Sequence, residues 1–324
     1  SEYMYDLLER YFSLRKNTYV IIITLATVVL VLVFLLEDRS GFWSSLFFFD
    51  PFVLMIAIVE CQMRLSEKKQ AIIRYVTAQV AHKTGLQCKD PGILHEEECK
   101  ASCFFHSGIN AFYLDRDIPR QVFALEKENI VLQLSHVSCG GVKRLTKEGK
   151  WFVLRGNAAA AGFKITSTGL LFRCVFPFYF SDTWLLLPKK WGRHLEKITY
   201  LNFLVVSFYF MLKKPLNLNL FKNENNTLWI YSTVSSEQEA DAAEECSFVE
   251  KCYSLLRKKS YSLMSFTGNT MYVYIPFNWK MTSEQKLQDC ITEYKANIEL
   301  VMGIIFDEIM HRYYEQQFVA INDC

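Results

Sequence analysis

Apolar positions along this chain fall into three successive patterns. Tyr3, Met4, Leu7, Leu8 and Phe12 recur at helical spacing, which predicts an amphipathic helix over residues 1–17, ending on Arg15 and Lys16. A charge-free run from Thr18 to Leu36 follows. As a helix it measures about 28 Å, close to the hydrocarbon thickness of a bilayer. Glu37, Asp38, Arg39 and a Ser40-Gly41 turn close it, and a second apolar run, Phe42 to Val59, is interrupted by Asp50-Pro51. Together the two runs predict a transmembrane hairpin over residues 18–60. Two arrangements fit the second run. In one it is a short span with an acid near its middle, and Asp50 then needs a partner, such as a group on another subunit's helix. In the other a helix starts at Pro51 with Asp50 as its N-cap.

Beyond the hairpin the period changes. Leu65, Ile72, Ile73, Val76 and Val80 form the stripe of an amphipathic stalk, and the stalk and a Cys/His-containing helical region occupy residues 61–110. Residues 111–280 read as a mixed, β-rich domain. Imperfect alternation between Val122 and Phe180, with Gly140-Gly141 and Glu148-Gly149 as turn signals, predicts an antiparallel sheet. Further strands are expected at Leu228–Tyr231 and on both sides of a Thr267-Gly268-Asn269 turn, with a helix near 246–258. Within 281–324, Leu287, Tyr294, Ile298, Val301, Ile305 and Ile309 repeat near 3.6 spacing and predict a long C-terminal helix. The fold class expected is therefore α+β: an N-terminal two-helix transmembrane hairpin, then an antiparallel β-rich domain with flanking helices and a long C-terminal helix. The segment Ile198 to Leu212 is apolar and aromatic but short for a span; a buried element, an interfacial segment and a third crossing all fit it.

Charge adds a direction. Arg15 and Lys16 precede the first apolar run, Arg64, Lys68, Lys69 and Arg74 follow the second, and the loop between them is acidic. Bases beside both outer ends predict that both termini and the large domain are cytosolic, in an integral protein of an endomembrane or the plasma membrane. On that topology most of the 10 cysteines are expected to be free thiols. The first apolar run follows acidic and basic residues and no small-residue cleavage pattern comes after it, so no cleavable leader is expected, and a chain that opens on Ser1 leaves room for residues upstream. A formal net charge of +2 supplies no field that would favour nucleic acid as a partner.

Candidate chemistry is sparse. His95, Cys99 and Cys103 are spaced four apart, so a helix would align them with His106 about a turn further on, and that set would suit a structural zinc. It contains no CxxC pair, and buried cysteines with surface histidines are the plainer explanation. Cys139, before Gly140-Gly141 and three residues after His136, has the composition of a Cys-His nucleophile without a third, orienting group. Lys189, Lys190 and Arg193 on one side of residues 198–212, and Lys213 and Lys214 on the other, suit anionic lipid headgroups or a solvated rim.

These features lead to an expected function. The chain reads as a non-catalytic auxiliary or assembly subunit of a membrane protein complex, such as a channel, transporter or assembly machine. Its partners would be other integral membrane subunits or further copies of itself, together with the lipid bilayer. A tethered lipid or small-molecule sensor and a membrane-bound enzyme of unspecified chemistry are the alternatives.

Overall fold

The computed structural model describes residues 2–36, 43–89, 101–102, 111–113, 121–142, 163–188, 218–224, 228–234, 239–256 and 262–315. The chain divides into two compact units. The first comprises residues 1–77 with two short additions, 116–119 and 281–284; the second comprises the remainder.

In the first unit, α1 runs without interruption over Glu2–Leu36 (35 residues) and α2 over Trp43–Lys83 (41 residues), its last turns belonging to the second unit. Among the described residues no helix is long and apolar enough to cross a membrane. That finding overturns the expected transmembrane hairpin over 18–60. The expected location as an integral protein of an endomembrane or the plasma membrane falls with it, as does the charge-based orientation, which presupposes spans. The apolar runs are not separate segments. Thr18 to Leu36 continues a helix that already carries Asp6, Glu9, Arg10, Arg15 and Lys16. Phe42 to Val59 lies in a helix that goes on through Glu60, Arg64, Glu67, Lys68 and Lys69. The turns that lead into the first run are docked on protein: Leu8, Tyr11 and Thr18 are buried, and the Arg15 guanidinium donates to the Met281 carbonyl at 3.0 Å. Since α2 is continuous through Asp50-Pro51, Pro51 does not begin a helix and Asp50 is not its N-cap.

α2 ends as its sequence requires. Gly85 adopts φ +82°, the left-handed conformation that glycine enters without steric cost. The Leu86 amide donates to the Ala81 carbonyl at 2.8 Å and the Gly85 amide to the His82 carbonyl at 3.2 Å, the double bond of a Schellman cap.

The second unit is built on an antiparallel sheet. Its strands are β1 (Gln87–Lys89), β2 (Ala111–Tyr113), β3 (Val122–Lys127), β4 (Ile130–Val142), β5 (Phe163–Val175), β6 (Trp184–Pro188), β7 (Asn219–Glu224), β8 (Leu228–Ser232), β9 (Leu263–Thr267) and β10 (Thr270–Pro276). Their order is β1-β3-β4-β5-β10-β9-β6-β8-β7, with β2 paired to β4. Two hairpins set the register. The β3–β4 turn holds Glu128 and Asn129 at φ 54° and 62°, the positive pair of a type I′ turn. The β9–β10 turn places Gly268 at φ +58°.

Gly140 and Gly141 lie inside β4, not in a turn: the register against β5 shifts between Cys139 and Gly140, a bulge of the kind that glycine in a strand often marks. Gly169 has a different task. A Cβ there would collide with the Tyr274 ring and lie 2.6 Å from the Ile275 carbonyl oxygen.

The sheet is buried on both faces. Leu170, Leu171 and Phe172 are all fully buried, as are Met271 through Ile275 and Trp184 through Leu187. One face carries a cluster of Leu171, Leu185, Leu187, Trp229, Leu263 and Tyr274. Double burial explains the imperfect alternation in the sequence, because a strand covered on both sides reads as a continuous apolar run. Helices α3 (Glu239–Leu256) and α4 (Glu284–Gly303) follow, and α4 passes into a π-helical stretch, Ile304–Met310. Leu287, Cys290, Tyr294, Ile298 and Val301 are its buried stripe.

Candidate functional site

The first unit carries an unusual surface. On α1, Tyr19, Val20, Ile21, Ile23 and Val28 are exposed, Ile23 to 64%. On α2, Ile56, Val59 and Met63 are exposed, and their spacing of three and four puts them on one helix face. Single exposed apolar residues are ordinary, but rows of large ones along a helix mark an interaction surface. The threonines reinforce this. Thr27 is exposed, yet its hydroxyl donates to its own helix at the Ile23 carbonyl (2.8 Å), and Thr18 does the same to Leu14 (2.8 Å). A hydroxyl that donates to its own backbone has less to offer water, so Thr27 adds little polarity to this part of α1.

Asp50 is inside α2. The zinc candidates His95, Cys99, Cys103 and His106 lie outside the described residues, as do the basic candidates Lys189, Lys190, Arg193, Lys213 and Lys214. Among the described residues no group of three or more metal-ligating side chains converges. Except for Met63, the residues of the apolar rows lie within the predicted spans, whose uniform apolarity hides which face a helix leaves exposed.

Of the Cys139-His136 pairing only His136 is described; the Cys139 side chain lies outside the described residues. His136 enters a closed aromatic box: it stacks on Tyr294 (centroids 5.5 Å, planes 8° apart) and lies 6.2 Å from the Trp279 ring and 6.4 Å from Phe277. Trp279 Nε1–H donates to His136 Nε2 at 3.2 Å, so the neutral imidazole carries its proton on Nδ1. Burial lowers the His136 pKa to about 4. The box ties β4, the segment after β10 and α4 together as a neutral, structural unit.

Thiols of the core are likewise inert. Burial pushes the Cys174 thiol up beyond its ordinary range and the Cys252 thiol up to about 12. Neither forms thiolate at neutral pH, and a thiol without thiolate character is a poor nucleophile. Cys290 instead serves the backbone, accepting from the Lys280 amide at 3.3 Å.

One groove, of about 430 Å³, lies where Lys83 and Thr84 meet Lys295, Glu299, Phe306 and Asp307 at the start of the π-helical stretch. Its charges are mixed, and Lys295 pairs with Glu299 at 3.3 Å. An exposed i,i+4 pair of this kind stabilises little and positions no reactive group.

No protein-family model matches the chain, and no curated protein does. Among solved structures, the crystal structure of the mycobacterial trehalose monomycolate transport factor A is similar at 10% identity, with a TM-score of 0.32. The match covers 70% of this chain and 95% of that one. A likeness of this size carries no argument about fold or function.

Proposed function

We propose that this chain is a non-catalytic auxiliary or assembly subunit of a multi-protein complex, and that the exposed rows of α1 and α2 receive an apolar helix of a partner subunit. The carrying observation is the helical row Tyr19, Val20 and Ile23, which share one face of α1 and are left exposed while most large apolar side chains among the described residues are buried. A row along a helix axis offers ridges and grooves into which another helix packs. Fully burying such a side chain contributes about 1.5–3 kcal/mol, and these are roughly half exposed, so each has about half of that left to contribute against the cost of association. The finer expectation, that the complex is a channel, a transporter or an assembly machine, belongs to the same proposal. The neutral, buried state of His136, Cys174 and Cys252 supports a binding role over a catalytic one.

Purification from the native source with mass and subunit identification tests the reading. The expected result is a stoichiometric heteromeric complex from which Ile23→Asp, with its fold intact, is released. A wild-type chain that purifies alone, or an Ile23→Asp chain that stays fully associated, would refute it.

A further inference from the structure

A second surface, confined to the second unit, points to a different kind of partner. The segment after β5, Phe176 to Thr183, is rich in aromatic residues. Phe176 and Phe180 are buried, Phe180 against Phe266 at 4.7 Å, and they anchor the segment. Phe178 emerges between them and stacks on Tyr313 (4.4 Å, 17°), which in turn lies 5.7 Å from the Tyr314 ring. Tyr179 is 79% exposed, the most exposed large apolar side chain among the described residues. Tyr314 is 40% exposed.

The backbone that carries Phe178 and Tyr179 is held in place. The Phe180 amide donates to the Gly268 carbonyl at 2.8 Å. Glu245 on α3 accepts from the Ser181 amide at 3.0 Å and from Trp184 Nε1 at 3.1 Å. A fixed tyrosine presents a large amphipathic face with little entropy left to lose, which is why such residues dominate binding hot spots.

The border of the rings is acidic. Among the described side chains α3 carries Glu244, Glu245 and Glu250 against a single Lys251. The molecule already binds one guanidinium in this setting: Arg312 lies over the Phe248 ring, 4.3 Å from its centroid, and pairs with Glu244. A planar guanidinium suits a site of ring faces and carboxylates better than an ammonium does.

We propose that Phe178, Tyr179, Tyr313 and Tyr314, beside the acidic helix α3, form a docking surface for an arginine-bearing basic segment of a partner protein. The partner's arginines stack on the exposed tyrosines as Arg312 stacks on Phe248, and the carboxylates of α3 steer its charge. The apolar rows of the first unit call for a helix; this surface calls for a charged, extended segment, so the two proposals stand or fall separately.

The test is titration of the full chain with fluorescent hexa-arginine and hexa-lysine peptides, read by anisotropy at moderate salt. The arginine peptide is expected to bind more tightly than the lysine peptide. Tyr179→Ala should weaken it roughly tenfold, the scale of a hot-spot ring, while Tyr179→Phe, which keeps the ring, should bind as the wild type does. Because Tyr179 is exposed, both variants should fold. Equal binding of the two peptides, no binding, or an unchanged affinity in Tyr179→Ala would each overturn the proposal.

Discussion

The two units treat apolar side chains in opposite ways. In the second, Leu170 to Phe172 and Met271 to Ile275 are covered on both sheet faces, and even the polar His136 is enclosed by rings. In the first, Tyr19, Val20, Ile23, Ile56, Val59 and Met63 are exposed on helices whose buried stripes lie elsewhere, at Leu8 and Tyr11 on α1 and at Ile72, Ile73 and Val76 on α2. Both sets are equally apolar, so composition does not distinguish them. The difference is geometric. A sheet buried on both faces satisfies its side chains internally, whereas a helix with apolar residues around most of its circumference retains a face that its own unit does not cover. The lesson is that stability and association are carried by different parts of this molecule, and substitutions can separate them.

The largest effect should come from the tightest place in the sheet. Gly169→Ala puts a methyl group into the Tyr274 ring and against the Ile275 carbonyl, so either the β5–β10 pairing or the ring must shift. Chemical denaturation should show a loss of more than about 3 kcal/mol, at the upper end of overpacking costs. A loss under about 1 kcal/mol would mean that the second unit is less closely packed than the comparison requires.

Next is acid. The folded pKa of His136 is depressed to about 4 from an ordinary 6.5. Between these values the unfolded chain binds a proton that the folded chain refuses, so stability falls as pH drops through that window. It levels off once both states are protonated. The shift corresponds to roughly 3 kcal/mol. Denaturation midpoints measured from pH 7 to pH 4 should show this loss in the wild type, and His136→Phe should remove most of that component. An identical acid profile in the variant would show that other groups set it.

A smaller effect has the opposite sign. Tyr294 Oη and both polar atoms of the Asn297 side chain are buried without a hydrogen-bond partner among the described residues. Removing an unpartnered polar group relieves a desolvation cost, so Tyr294→Phe should stabilise by about 1 kcal/mol or leave stability unchanged. Destabilisation beyond about 1 kcal/mol would reveal a partner for that hydroxyl. Smallest of all is the change expected in the first unit: Ile23→Ser should alter stability by no more than about 0.5 kcal/mol, as exposed substitutions do, while weakening association. A large stability loss there would erase the contrast between the units.

Much of the second unit was legible because its signals are local. The Leu228–Ser232 strand and the hairpin around Gly268 follow from short apolar runs and turn chemistry. The end of α2 follows from its stripe and from Gly85. Gly140-Gly141 misled because two glycines signal a turn and a bulge alike. The π-helical stretch is not legible in the sequence: Val301, Ile305 and Ile309 are spaced by four, which an ordinary α-helix also allows. The aromatic box could not be seen at all, since His136, Phe277, Trp279 and Tyr294 meet only in the folded chain. The hairpin over residues 18–60 failed for another reason. Hydropathy was judged run by run, while each run belongs to a much longer helix with charged and docked turns. None of the candidate ligand or basic residues tested the site reading, and the apolar rows emerged only from exposure, a property of the fold.

The most direct measurement is site-specific photo-crosslinking in the native setting, with a photoreactive residue at Ile23, at Val59 or, as a control, at the exposed Thr292 of α4. The proposal predicts that Ile23 and Val59 capture one and the same partner subunit in stoichiometric yield and that Thr292 does not. Failure of Ile23 and Val59 to capture any protein, or the same capture from Thr292, would contradict it.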